Sequence, residues 1–154
     1  MSKGAPRTSV EDIRVRLIGV WRLVALREIG ADGKIVYPLG EDARGQLMYS
    51  VEGRMSAQLA RAEAQKFAND DSREATGEER ARAWLDYFGY FGSFSIEEKR
   101  NAVIHHVEGS SFPNLNGSRQ IRLFRFEGER LVLDAEAAWG KVQAVWEKIA
   151  SRNS

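Results

Sequence analysis

"SRQIRLFRFEGERLVLDAEAAWGKVQAVWEKI", residues 118–149, decides the fold. It holds three runs, 118–128, 130–137 and 141–149, in which apolar and polar residues alternate, and the joins between them are only a few residues long. Alternation with a period of two is the signature of a strand with one face buried. A parallel neighbour needs a crossover of about a dozen residues or more, so joins this short leave antiparallel hairpins as the reading.

The same pattern continues upstream. "LIGVWRLVALREIG" (17–30) turns at "ADG" into "KIVYPLG" (34–40), and "RGQLMYS" (44–50) turns at "VEG" into "RMSAQLAR" (54–61). "GYFGSFSIEE" (89–98) and "NAVIHHVEGS" (101–110) follow. Short strands with frequent turn signals predict a mainly β chain, an antiparallel sandwich or barrel built of adjacent hairpins. Two helices interrupt it. Ser9 with Asp12 three residues on predicts a short capped helix through Leu17. Thr76 with Glu79 predicts a second over 77–88, with Ala81, Trp84, Leu85 and Phe88 on one face, as a lid over the barrel mouth. The polar run "NDDSREATG" (69–77) before it reads as a mobile loop. Residues 1–8 read as a disordered tail and 9–150 as one domain.

Composition narrows the function classes. The 23 Lys and Arg nearly cancel the 22 Asp and Glu, so there is no broad basic surface for nucleic acid and no acidic tail for a cationic partner. Nowhere do about 18 apolar residues run together, as a membrane-spanning helix requires. The absence of cysteine excludes disulfides, a thiol nucleophile and thiolate metal sites, and fits a cytoplasmic address. The expected partner is a small hydrophobic molecule, with no nucleic acid and no membrane; a homo-oligomer is compatible with the sequence. No cofactor motif is present.

The only two histidines, His105 and His106, stand side by side in a predicted strand, so they must face opposite sides of the sheet. His106 shares its face with Glu108 and Ser110, and His105 shares the other with Val103 and Val107. The polar company of His106 selects it for the lumen, with Glu108 fixing its tautomer as the start of an acid–base unit. The opposite assignment follows if the apolar face points inward. A structural imidazole satisfied by a hydroxyl is the competing account. Adjacent strand histidines diverge and no third histidine exists, so no metal site is expected.

On the next strand Gln120, Arg122, Phe124 and Phe126 share a face. If that face points inward, Arg122 is a buried cation suited to a carboxylate or enolate oxygen; if outward, it is an ordinary solvated arginine. Ser56 and Gln58 form a polar pair on another strand, and Tyr49, Tyr87 and Tyr90 supply phenols. The loop "SSFPNLNG" (110–117) offers Ser110 and Asn114 at a barrel mouth. No nucleophile elbow is present for serine chemistry.

"GVWRL" (19–23), "YSVEGRMSAQL" (49–59), "YFG" (90–92), "HHVEGSSFPN" (105–114) and "VWEK" (145–148), in this order, resemble the lipocalin-like domain family of bacteria and fungi. The resemblance covers roughly Leu17 to Ile149. It implies a small calycin-type up-and-down antiparallel β-barrel of eight or nine strands with an internal cavity, and hands over no reaction. It also places Trp21 at the closed end, with Lys148 over its indole where an arginine is usual.

Two functions follow as expectations. The first is binding of one small, largely apolar molecule in the lumen, contacted by Tyr49, Ser56, Gln58, Trp84, Tyr87, Phe88, Tyr90, His105, Ser110, Asn114 and Phe124. The alternative is a cofactor-free lyase, isomerase or cyclase in which His106 moves a proton, Glu108 orients it and Arg122 or a tyrosine steadies an oxyanion.

Overall fold

The structure is a computed structural model describing residues 9–151, so the expected tail at 1–8 lies outside the described residues. Nine strands form: β1 Gly19–Gly30, β2 Ile35–Val36, β3 Arg44–Tyr49, β4 Arg54–Ala60, β5 Tyr87–Glu97, β6 Ala102–Ser110, β7 Arg119–Glu127, β8 Arg130–Ala137 and β9 Gly140–Lys148. All pair antiparallel with their sequence neighbours except β2 and β3, which both pair with β1. β1 also pairs with β9, which closes eight strands into a barrel and leaves β2 outside, attached through Glu28 and Ile29. Closure removes the open edges of the sheet. This is the expected up-and-down barrel.

Inside, the pleat alternates as the sequence demands, with two breaks of parity. β1 points Trp21 and Leu23 inward, then its register against β9 shifts between Leu23 and Ala25. After that bulge Leu26 and Glu28 face the interior and Ala25 faces out, where it packs with Val132 and Val145. The second break lies between β5 and β6. Phe91 pairs with Gly109 while Gly92 pairs with Val107, so Glu108 is the extra residue. Glycine is required at 92, because a Cβ there would stand 1.8 Å from the carbonyl oxygen of His106.

The helix α1 (Val10–Leu17) closes one end. The expected capping box forms: Asp12 N–H donates to Ser9 Oγ at 3.1 Å and Ser9 N–H to Asp12 Oδ2 at 3.2 Å. Ile13 and Leu17 are buried in the barrel base. Trp21 Nε1 donates to the Leu17 carbonyl at 2.8 Å, and Lys148 Nζ lies 5.0 Å from the Trp21 ring while donating to the Arg16 carbonyl at 2.9 Å. Arg16 covers Phe126 at 3.7 Å, so the plug carries cations over aromatic faces.

The second helix, α2, is shorter than expected. It runs Gly77–Leu85, and Tyr87 and Phe88 begin β5. Thr76 and Glu79 form the predicted capping box, and Glu79 also accepts from Ala68 N–H at 2.8 Å, which ties down the preceding loop. The helix stops because pairing takes over: Ala60 opposes Tyr87 and Leu59 opposes Phe88, and aromatic residues suit a half-buried pleat. At this corner Arg61 donates to Asp86 Oδ1 at 2.9 Å and to the Pro38 carbonyl at 3.2 Å, joining β4, α2 and the loop after β2.

Candidate functional site

The barrel holds a cavity of about 360 Å3, open at the side of Leu85, within the range of roughly 300–1,000 Å3 usual for small-molecule sites. Its wall is mainly apolar, with Leu26, Leu47, Ala57, Leu133, Ala144 and Trp146 among the lining residues. Pro38, Leu39, Leu85 and Phe88 line it too. Four polar side chains interrupt the wall: Glu28, Tyr90, His105 and Arg122.

His105 is the centre of the polar group. It is 1% exposed, and both ring nitrogens are engaged: Nε2 lies 2.6 Å from Tyr49 Oη and Nδ1 2.7 Å from Tyr90 Oη. The strands dictate this. Tyr90 on β5 and His105 on β6 both point inward, and Tyr49, the last residue of β3, reaches them from beneath. Phe94 packs edge-on to Tyr49 at 4.8 Å and helps seal the group. Burial pushes the His105 pKa well below that of a free imidazole, and the nearby Arg122 guanidinium acts the same way. The ring is therefore neutral. Burial also raises both phenols, Tyr49 strongly, while Arg122 opposes that rise at each.

Arg122 faces inward, as the first of its two alternatives required. Its Nη1 donates to the neighbouring Ile121 carbonyl at 3.2 Å, and among the described residues no carboxylate lies within ion-pair distance of it. The cavity thus presents a cation that, among the described residues, makes no ion pair, with the Glu28 carboxylate elsewhere on its wall.

The assignment of His106 to the lumen is corrected. His106 points outward and its Nε2 lies 2.8 Å from Ser95 Oγ. Glu108 does not orient it. That carboxylate is exposed and paired with Arg54, which holds its pKa below the usual carboxylate value. The reason is the apolar face: Val103 and Val107 are buried in the core, and His105, between them in the pleat, goes in with them.

Other expected contacts separate likewise. Ser56 and Gln58 face outward, because Met55, Ala57 and Leu59 take the interior; Gln58 bonds the exposed Tyr87 hydroxyl instead. Trp84 is 52% exposed and does not line the cavity: its Nε1 donates to the Ser111 carbonyl at 2.8 Å beside Phe112. Leu85 and Phe88 carry the lining role at that side. Ser110 accepts from Phe112 N–H at 3.0 Å, Asn114 is exposed in a short 3-10 turn, and Phe124 packs on Phe126 at 5.8 Å near α1. Tyr49 acts through His105 and does not line the cavity.

Most of the apolar wall is not singled out by the sequence, and neither are two lining residues that carry polar atoms, Glu28 and Trp146. Glu28 enters the lumen only because the β1 bulge reverses parity, and no residue in "LVALRE" announces that bulge. Trp146 belongs to the wall, and its buried Nε1 has no hydrogen-bond partner among the described residues. Also among those residues, no cluster of three metal-ligating side chains occurs and no helix is long and apolar enough to cross a membrane.

A curated relative, the 4'-hydroxy-3'-methoxypropiophenone carrier protein ppsC of Aspergillus oryzae, is 35% identical over 85 residues, covering 51% of this chain and 77% of the relative. Among solved structures, a redesigned β-barrel aligns over 89% of this chain and 95% of its own, with TM-score 0.45 and 9% identity. The lipocalin-like domain family model matches residues 18–152, nearly the whole chain, and the protein belongs to that family.

Proposed function

We propose that the protein binds one small, largely apolar molecule inside the barrel. The observation that carries this reading is the lumen cavity of about 360 Å3, apolar around most of its wall and polar at a few residues. The relative named as a carrier of a propiophenone supports the same class of function. Binding is favoured over proton transfer because both nitrogens of His105 are occupied by phenols, so the imidazole has no free nitrogen for a substrate.

Fluorescence of N-phenylnaphthylamine, a neutral dye that brightens in apolar surroundings, tests the reading. The protein should enhance it saturably. Ala57→Phe, which fills the lumen from a buried wall position, should abolish the enhancement. Ala135→Phe is the second blocking variant, at a lining position less buried than Ala57. Undiminished dye binding in both folded variants would place the site elsewhere.

A further inference from the structure

The Tyr49–His105–Tyr90 group contains a proton that its own bonds cannot use. A neutral imidazole carries one N–H and the two phenols carry one O–H each, which makes three donors for two hydrogen bonds. The phenol that accepts from the imidazole N–H keeps its own proton for another partner. Tyr49 is buried, bonds only His105, and does not line the cavity, so a spare proton there would have no acceptor. Tyr90 lines the cavity. The arrangement without a stranded donor has Tyr49 O–H donating to Nε2, Nδ1–H donating to Tyr90 Oη, and Tyr90 O–H turned to the lumen.

The other lumen donors match. Arg122 directs one N–H at a backbone carbonyl, also acts on the Tyr90 oxygen as a hydrogen-bond donor, and has no carboxylate in ion-pair contact among the described residues. Trp146, also lining the cavity, has an indole N–H with no acceptor among the described residues. The exception is Glu28, which sits along β1 beyond Leu26, opposite Val142 of β9 and Val36 of β2. It is not among the charges that act on Tyr49, Tyr90 or His105, whereas Arg122 acts on all three. The polar end of the lumen is therefore made of donors and one positive charge.

We propose that this end is a carboxylate site, and that the bound molecule is a small apolar carboxylate, with Arg122 and Tyr90 contacting its oxygens and Tyr49 and His105 positioning the Tyr90 proton. The proposal rests on the lumen-binding reading and names its ligand class. A neutral apolar molecule filling the cavity would strip water from Arg122 and return nothing, which is costly for a charge. A carboxylate replaces that water with charge-assisted bonds, and its two oxygens fit the planar guanidinium fork.

The test uses three probes of matched shape in competition with the neutral dye: phenylbutyrate, the methyl ketone in which a methyl replaces one carboxylate oxygen, and the isopropyl hydrocarbon. Phenylbutyrate should bind at least tenfold tighter than the ketone, and the ketone tighter than the hydrocarbon. Arg122→Gln should remove the preference for the anion and, because no charge is then stripped of water, strengthen hydrocarbon binding, and Arg122→Lys should restore part of the preference. Tyr90→Phe should weaken the carboxylate and the ketone but spare the hydrocarbon. Tyr49→Phe releases the tautomer, so it should lower the carboxylate-to-hydrocarbon ratio severalfold; a purely structural Tyr49 would leave that ratio intact. Hydrocarbon binding equal to that of the anion, or an anion preference that survives Arg122→Gln, overturns the carboxylate site and leaves the lumen reading standing. Failure of all three probes and of the dye to bind overturns both.

Discussion

His105 and His106 are adjacent in the chain and opposite in the fold. The first is sealed inside the barrel between two phenols, neutral and with both ring nitrogens engaged, in the field of Arg122. The second lies on the outer surface against a serine hydroxyl, flanked by an exposed Arg54–Glu108 pair. One step along a strand exchanges a low-dielectric, obligatory network for a set of contacts that water can replace. Residue type therefore says little about role here, and pleat parity says nearly everything.

The strongest way to break this contrast is to delete each imidazole in turn. His105→Leu keeps an apolar side chain but leaves the Tyr49 and Tyr90 hydroxyls without their partner in a buried site. Each stranded hydroxyl costs about 1–3 kcal/mol, so a loss of roughly 3 kcal/mol or more is expected in urea denaturation. His106→Leu removes one bond to a hydroxyl that water can reach, and should cost less than about 1 kcal/mol. Equal losses would mean that burial does not separate the two residues.

The pH dependence should show the same contrast. The folded pKa of His105 lies below its unfolded value of about 6.5. The unfolded chain then binds more protons than the folded one as pH falls below that value. Stability from this group is complete above about pH 6.5 and falls as pH drops toward the folded pKa, by at most about 1.4 kcal/mol per pH unit. The acid-side slope should persist in His106→Leu and lose this component in His105→Leu. A slope unchanged by His105→Leu would assign it to the carboxylates.

How much of this was legible in the sequence follows from the same parity. The meander from 118 to 149, the capping boxes at Ser9 and Thr76, and the Trp21–Lys148 contact could all be read because they depend on local spacing or on family resemblance. Within β6 the signal was present as well, since Val103 and Val107 mark the inward face and His105 lies on it. The polar pairing of His106 with Glu108 pulled the assignment the wrong way, because a carboxylate two residues along is equally at home in solvent. Glu28 could not be read at all: its direction depends on a bulge set by pairing with β9, more than a hundred residues away in the chain. Phe88 was placed in the helix because helical spacing fits it, and barrel pairing overrode that spacing.

Helix α2 sharpens the comparison at a smaller scale. No residue of α2 is buried, and Trp84 holds the helix to the loop after β6 through one hydrogen bond and an aromatic edge contact. Trp84→Ala should cost about 1 kcal/mol and raise hydrogen exchange in 77–85. Leu85→Ala should barely change stability, since the side chain is mostly exposed, yet weaken dye binding because it lines the cavity. If Trp84→Ala impairs binding while Leu85→Ala does not, the cavity is closed by the tryptophan loop and not by the end of the helix.

The smallest effect belongs to the outer ion pair. Arg54 and Glu108 are each about half exposed, at 50% and 53%, so water and salt screen their attraction, and fixing two long side chains opposes it. The pair does hold the Glu108 carboxylate below its usual pKa, but a shift at a solvated group need not register as global stability. Glu108→Gln removes the charge and keeps the shape, the bulge backbone and a hydrogen-bonding end. Its urea midpoint should match the parent within measurement error at low salt and in half-molar sodium chloride alike. A salt-sensitive drop approaching that of His105→Leu would show that the outer face of β6 carries the fold as much as the inner one does, and the division between the two histidines would lose its meaning.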